Sequence, residues 1–206
     1  MSQEHAKTFW SWFAKNQSQF LFLSQVDADE RNRLLNELME KLREYDENLS
    51  FEIGGHPESE KVDFIISADG IIDYFESVEN LVAQAPELSN WNIIAFKPPM
   101  PEDHTIKING KEFDAKKIIF IPLTNPDEPS AVAIRVCFAD LDEENKNLHI
   151  NASFLLLDAL IGERATAIDI DYIEIEKTPA DIAEYPFLHL TDIGDYIKEI
   201  KGTSNN

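Results

Sequence analysis

Apolar residues recur at helical spacing through the first part of the chain. At 100° per residue, Phe9 and Phe13 fall on one side of a helix that this pattern predicts over residues 8–24. Trp10 and Phe22 lie off that side. The helix is therefore either contacted on more than one face or leaves apolar surface for a partner.

A second helix is predicted over residues 27–47. Asp27 and Glu30 have the spacing of a capping box, in which side chains accept hydrogen bonds from backbone N–H groups at the helix start. One face of the helix is apolar and carries Leu34, Leu35, Leu38, Leu42 and Tyr45. The chain thus opens with a pair of helices.

After this pair the apolar residues alternate with period two. The alternation over 51–53 and 62–66 predicts an antiparallel hairpin, which is followed by a helix over 73–85 and a strand over 91–97. A second hairpin is predicted at Asn109-Gly110, because a two-residue turn of type I′ needs two positive φ angles.

The last third of the chain mixes strands and helices. The pattern predicts strands over 117–123 and 131–139, a helix over 145–161 that ends at Gly162, a strand over 167–176 and a helix over 191–200. The inward-facing parity switches between Tyr172 and Ile173, which predicts a β-bulge or a sharp coil there.

This order of elements predicts an α+β fold: a mainly antiparallel sheet covered by the N-terminal helix pair and further helices. Pro98, Pro99 and Pro101 interrupt the chain, and we interpret them as a rigid crossing loop. The strands after them are expected to extend the same sheet. Residues 1–206 then form a single domain, with residues 1–7 and 202–206 frayed.

Charge narrows the classes of partner. The 39 acidic and 18 basic residues give a formal net charge of -21, which repels nucleic acid and anionic membrane surfaces. The same charge suits a basic protein partner, although an acidic surface also serves solubility alone. The single cysteine, Cys137, and the absence of a long apolar stretch or a secretory signal at the start predict a cytoplasmic protein.

The sequence carries no motif for a cofactor. It lacks a P-loop, a dinucleotide-binding glycine pattern and a nucleophile elbow, so no cofactor is expected. The five histidines are scattered, and no metal site is predicted. If the protein is an enzyme, the chemistry points to a metal-assisted hydrolase that draws on Asp69, His149, Asp158 and their spatial neighbours, although His149 and Asp158 equally suit an ordinary helix surface.

Aromatic residues suggest the other hypotheses. Trp10, Phe22 and Trp91 are candidates for anchoring a partner, but tryptophan and phenylalanine fill cores equally well. The preferred hypothesis is a non-catalytic, acidic, protein-binding or regulatory protein of the immunity type. A third hypothesis is a homodimer that associates through a sheet edge or through the aromatic first helix.

Several short segments together resemble a group of uncharacterised bacterial proteins of similar length. They are FWSWF at 9–13, SADG at 67–70, VENLVAQAP at 78–86, WNIIAFKP at 91–98 and LDALIGE at 157–163. The resemblance covers most of the chain. It implies a bacterial, single-domain, cytoplasmic protein and transfers no catalytic residue.

Overall fold

The computed structural model of the chain describes residues 3–54, 59–100 and 105–203. The chain divides into two compact units, unit 1 (Met1–Lys97) and unit 2 (Pro98–Asn206). Within the described ranges there are six α-helices and nine strands, so the prediction of an α+β fold is confirmed. None of the helices in these ranges combines the length and the apolar character needed to cross a membrane.

Unit 1 consists of three helices and a three-stranded sheet. Its elements are α1 (Gln3–Asn16), α2 (Ala28–Tyr45), β1 (Ser50–Gly54), β2 (Val62–Ser67), α3 (Phe75–Val82) and β3 (Trp91–Ala95). The strand order is β1-β2-β3. The strands β1 and β2 are antiparallel, as predicted, whereas β2 and β3 are parallel and are connected through α3.

The start of α2 shows why this helix was predictable. The Asp27 side chain accepts a hydrogen bond from the backbone N–H of Glu30 at 2.9 Å, which satisfies one donor that the helix leaves unpaired. The first helix differs from its prediction, because α1 begins at Gln3 and ends at Asn16. Ala6 is fully buried, so the predicted fraying is wrong for residues 3–7; residues 1–2 and 204–206 lie outside the described residues.

Aromatic rings fill the core of unit 1. The ring centroid of Phe13 lies 4.6 Å from that of Phe64 and 5.2 Å from that of Trp91. Trp10 packs edge-on against Phe13, and its Nε1 donates to the backbone oxygen of Leu81 at 2.8 Å. These contacts join α1 to the sheet and to α3.

Unit 2 contains two further sheets. Its elements are β4 (Thr105–Ile108), β5 (Lys111–Asp114), β6 (Ile119–Leu123), β7 (Ala133–Phe138), α4 (Lys146–Ile161), α5 (Glu163–Asp169), β8 (Tyr172–Lys177), β9 (Leu188–His189) and α6 (Ile193–Thr203). The strands β4 and β5 form a hairpin, and the other sheet has the order β8-β7-β6-β9. Within this four-stranded sheet the β7–β8 pair is parallel, and the β6–β7 and β6–β9 pairs are antiparallel.

Two turns in unit 2 follow from their glycines. Asn109 and Gly110 have φ angles of 50° and 83°, which confirms the tight hairpin between β4 and β5. Gly162 has a φ of 86° and ends α4, where its N–H bonds to the backbone oxygen of Asp158 at 2.8 Å. Glycine adopts such angles without strain, and asparagine tolerates them better than most residues do.

Two predictions about the strands are wrong. The strands after the prolines do not extend the first sheet, because β4 to β9 pair only among themselves within the described residues. The predicted strand over 167–176 with its bulge is instead the short helix α5 followed by β8. The change of parity at Tyr172 therefore marks where the strand begins. The single domain over 1–206 stays a prediction.

The core of unit 2 is mainly aliphatic. It is built from inward-facing residues of β6 and β7 and from one face each of α4 and α6, including Phe120, Ile134, Val136, Leu156, Leu157 and Ile193. The side chains Ile173, Ile175 and Leu188 pack against it from the two edge strands, β8 and β9. The alternating residues Tyr172 and Glu174 therefore face away from this core.

Candidate functional site

The three aromatic residues predicted to bind a partner have different environments. Trp10 and Trp91 are each only 3% exposed, so their assignment as surface anchors is wrong. Both are packing residues, because their rings contact Phe13 and Phe64 in the core of unit 1. Phe22 follows α1 and is 54% exposed, which leaves it available to a partner.

Asp69 lies where the parallel strands of unit 1 end. Because β2 and β3 are parallel, Asp69 and Lys97 follow their strands at the same edge of the sheet. The Nζ atom of Lys97 donates to Oδ1 of Asp69 at 2.9 Å, and the backbone N–H of Asp69 donates to Oγ of Ser67 at 2.9 Å. This cluster was only partly predictable, since the sequence does not show that Lys97 meets Asp69.

The cluster at Asp69 holds its carboxylate in the charged form. Burial alone would raise the pKa of Asp69, but hydrogen bonds from Lys97, Ser50 and Ser67 outweigh it and lower the pKa below its ordinary value. Asp69 also has a positive φ of 49°. A charged carboxylate that is paired with a lysine is a poor general base, so the geometry favours a structural ion pair.

His149 is fully buried in unit 2, so its interpretation as a helix-surface residue is wrong. Three elements supply its neighbours: Lys111 from β5, Asp140 from the turn after β7, and Asn145 just before α4. Its Nε2 lies 3.1 Å from Nζ of Lys111 and 3.1 Å from Oδ1 of Asp140. Its ring packs edge-on against Phe113 and Phe138.

The partners of His149 restrict where its proton can lie. Nδ1 lies 2.9 Å from the backbone oxygen of Asn145, which only accepts, so Nδ1 carries a hydrogen. A neutral ring then accepts from Lys111 at Nε2, whereas a protonated ring donates from Nε2 to Asp140. Lys111 also pairs with Asp140 at 2.5 Å, and this hydrogen bond lowers the pKa of Asp140 below its ordinary value.

The sequence did not reveal this cluster as a unit. Lys111 and His149 are 38 residues apart, and no spacing rule connects a hairpin to a helix. The sequence contained one sign that His149 is buried. His149 precedes Ala152 and Leu156 by three and seven residues, which places all three on one face of α4, and this face is buried. Leu148 and Leu155, which lie beside this stripe, are only partly buried.

Asp158 does not join His149 at one site. The two residues lie nine positions apart on α4, which corresponds to about 13.5 Å along the helix axis. Asp69 belongs to unit 1, whereas His149 and Asp158 belong to unit 2. In the described ranges, no three His, Cys, Asp or Glu side chains lie close enough to hold a metal ion; His56 and His104 lie outside these ranges.

A surface feature that sequence reasoning missed lies in unit 2. We name residues 172–187 the acidic aromatic segment, because it combines exposed rings with carboxylates. Tyr172, Tyr185 and Phe187 are 53%, 38% and 40% exposed. The segment also contains Glu174, Glu176, Asp181 and Glu184 against one cation, Lys177. The exposed rings could be recognised only once the core side of β8 was known.

Comparisons with known proteins add no relative. No protein-family model, no curated protein and no solved structure matches the chain. The resemblance to a group of bacterial proteins therefore stays a prediction.

Proposed function

We propose that this chain is a non-catalytic binding protein that engages a basic protein through the acidic aromatic segment. The observation that carries the proposal is the exposure of Tyr172, Tyr185 and Phe187 beside unpaired carboxylates. Aromatic side chains anchor protein interfaces because they bury a large area and lose little conformational entropy. Carboxylates around such anchors attract a basic partner and orient it.

Local charge supports this choice of surface. Unit 1 has 18 acidic and 8 basic residues and unit 2 has 21 and 10, so net charge alone favours neither unit. Within the segment, Glu174 is paired with Arg135 at 2.7 Å. Glu176, Asp181 and Glu184 have no ion-pair partner among the described residues, and their charge is available to a partner.

The spacing of the exposed rings suits a macromolecule. Tyr172 begins β8, and Phe187 immediately precedes β9. These residues lie at the two edge strands of the four-stranded sheet, three strand spacings or about 14 Å apart. A protein interface of about 800 Å² per partner spans such a distance, whereas a small ligand contacts one end only.

We also propose that the protein acts in the cytoplasm, and in a bacterium because of the resemblance to bacterial proteins. The cytoplasmic location is supported by the single cysteine, Cys137, which is buried, and whose pKa burial raises to about 11. A thiol with this pKa is almost entirely protonated near neutral pH and is unreactive, which suits a structural role in a reducing compartment.

A pull-down with matched charge variants tests the proposal. The tagged chain is incubated with a lysate at about 50 mM NaCl and washed at about 500 mM, because salt screens surface charges. The wild-type chain should retain a basic protein at low salt and release it at high salt. A triple variant, Glu176→Gln, Asp181→Asn and Glu184→Gln, should lose that protein at both salt concentrations.

The control removes equal charge elsewhere. Asp29→Asn, Glu40→Gln and Glu47→Gln change exposed carboxylates of unit 1 and should leave retention unchanged. Equal loss in both triple variants would mean that net charge, and not this segment, attracts the partner. An eluate without any salt-sensitive protein would contradict the proposal and favour the hydrolase or homodimer hypotheses, which light scattering and activity screens would separate.

A further inference from the structure

A groove in unit 1 runs between α2 and the edge of the sheet. Its volume is about 840 Å³, within the range of sites that hold drug-sized ligands. One wall is a stripe of α2 that repeats every four residues, namely Arg31, Leu35, Met39 and Arg43. The apolar middle of this stripe and its two cationic ends make the groove amphipathic.

The other wall is the open edge of β1. Phe51, Glu52 and Ile53 all line the groove, although successive side chains of a strand point to opposite faces. Three consecutive residues can line one groove only where the strand edge itself faces it. In the described residues β1 pairs with β2 on one side only, so its other edge presents backbone N–H and C=O groups.

The arginines of this groove differ from the other cations of α2. Arg33 pairs with Glu30 and Glu37, and Lys41 pairs with Glu44. Across the described ranges no carboxylate pairs with Arg31 or Arg43, and the guanidinium of Arg31 donates to the backbone oxygen of Val26 at 3.4 Å. Two unpaired guanidinium groups are notable in a chain with a net charge of -21.

From this geometry we infer that the groove binds an extended peptide segment of another protein, with apolar residues between two acidic ones. The peptide adds a strand to β1, which satisfies the open backbone groups. Its apolar side chains contact Leu35, Met39 and Phe51, and its carboxylates pair with Arg31 and Arg43.

The dimensions set the length of the peptide. Arg31 and Arg43 are twelve residues apart on α2, which corresponds to about 18 Å. An extended chain covers this distance in about six residue steps. The acidic residues of the ligand therefore lie at the two ends of a heptapeptide, because positions 1 and 7 of a strand point to the same face.

Fluorescence anisotropy with a labelled probe peptide tests the inference. The probe is fluorescein-labelled Glu-Thr-Val-Thr-Val-Thr-Glu, in which both Glu and both Val residues share one face, and it is titrated with the full chain to about 1 mM. Saturable binding is expected. A probe with glutamine at both ends should bind about fivefold to tenfold more weakly, because each exposed ion pair contributes modestly. A probe with a central proline should bind at least tenfold more weakly, because proline cannot donate to the strand.

Matched variants of α2 locate the site. The double variant Arg31→Gln, Arg43→Gln should weaken binding about fivefold to tenfold, whereas Arg33→Gln, Lys41→Gln removes the same charge outside the groove and should change it less than twofold. Equal effects of the two double variants, equal binding of the proline probe, or no saturation would each overturn the inference. The groove belongs to unit 1, so the outcome does not depend on the acidic aromatic segment.

Discussion

The two units of the chain build their cores differently and place their polar clusters differently. Unit 1 packs stacked and edge-on rings around Phe13, and its Asp69–Lys97 pair lies at the ends of two strands. Unit 2 packs mainly aliphatic residues, and its Lys111–Asp140–His149 cluster includes a fully buried imidazole. We infer that substitutions in the Lys111–Asp140–His149 cluster lower stability more than substitutions in the Asp69–Lys97 pair, because His149 is fully buried whereas Asp69 is about half exposed.

The distribution of tryptophan makes this comparison measurable. All three tryptophans, Trp10, Trp12 and Trp91, belong to unit 1. Tryptophan fluorescence therefore reports on unit 1, while far-UV circular dichroism reports on the helices of both units.

The largest effect is expected from Phe13→Ala. Phe13 is fully buried and contacts the rings of Phe64 and Trp91, so its removal leaves a cavity that rigid neighbours cannot fill. The free energy of unfolding should fall by about 3–5 kcal/mol. Urea unfolding followed by tryptophan fluorescence measures this change, and a loss below about 1 kcal/mol would show that the ring cluster is not the core of unit 1.

Leu157→Ala in unit 2 is the matched substitution and tests the predicted single domain. It should lower the free energy of unfolding by about 2–5 kcal/mol, because Leu157 is fully buried. In a single cooperative domain, this change also lowers the fluorescence midpoint of the tryptophans of unit 1. A circular dichroism midpoint that falls while the fluorescence midpoint stays fixed would show that the units unfold separately.

An intermediate effect is expected from His149→Ala. The substitution removes a ring packed between Phe113 and Phe138, and it takes away the Nε2 atom that Lys111 and Asp140 both contact. The free energy of unfolding should fall by about 2–4 kcal/mol, although Lys111 and Asp140 still pair with each other. The control His5→Ala, at an exposed position of α1, should change the free energy of unfolding by less than about 0.5 kcal/mol. Equal stability of the two variants in urea would mean that the cluster adds nothing to unit 2.

Smaller effects on stability are expected when the pH is lowered. The pKa values of Asp69 and Asp140 are lowered in the folded chain, so the unfolded chain binds more protons near pH 4. The stability that each carboxylate contributes is present above its ordinary pKa and is lost as the pH falls through the folded value. In Asp69→Asn and in Asp140→Asn, the free energy of unfolding should therefore fall less steeply than in the wild type as the pH is lowered. The difference should be less than about 1 kcal/mol, because both side chains are largely exposed.

The smallest effect is expected from Phe22→Ser. The ring is 54% exposed, unlike the buried Phe13 of the same unit, so the free energy of unfolding should change by less than about 0.5 kcal/mol. A loss of more than about 1 kcal/mol in urea unfolding would show that Phe22 packs in solution and is unavailable to a partner.

The sequence predicted those features that depend on neighbouring residues. The cap at Asp27, the turn at Asn109-Gly110 and the end of α4 at Gly162 each follow from the chemistry of one or two side chains. Helix α5 was not predicted because Ile168 and Ile170 alternate as strand residues do. The stretch 168–170 is too short to distinguish the helical period of 3.6 from the strand period of two.

Features that join distant segments were not predictable from local pattern. The parallel pairing of β2 with β3 and the division into three sheets depend on which strands meet, and neither alternation nor turn chemistry encodes that choice. The cluster around His149 was not predictable for the same reason, because its residues come from a hairpin, a turn and a helix. The candidate residues Asp69 and His149 were named individually, but Lys97 and Lys111, which neutralise the carboxylates of their clusters, were not.

Hydrogen–deuterium exchange of the chain with its captured basic partner tests the central claim most directly. The proposed function predicts that the partner slows exchange in residues 172–187, at low salt, more than in any other described segment. Protection confined to unit 1, or protection spread evenly over both units, would contradict binding through the acidic aromatic segment.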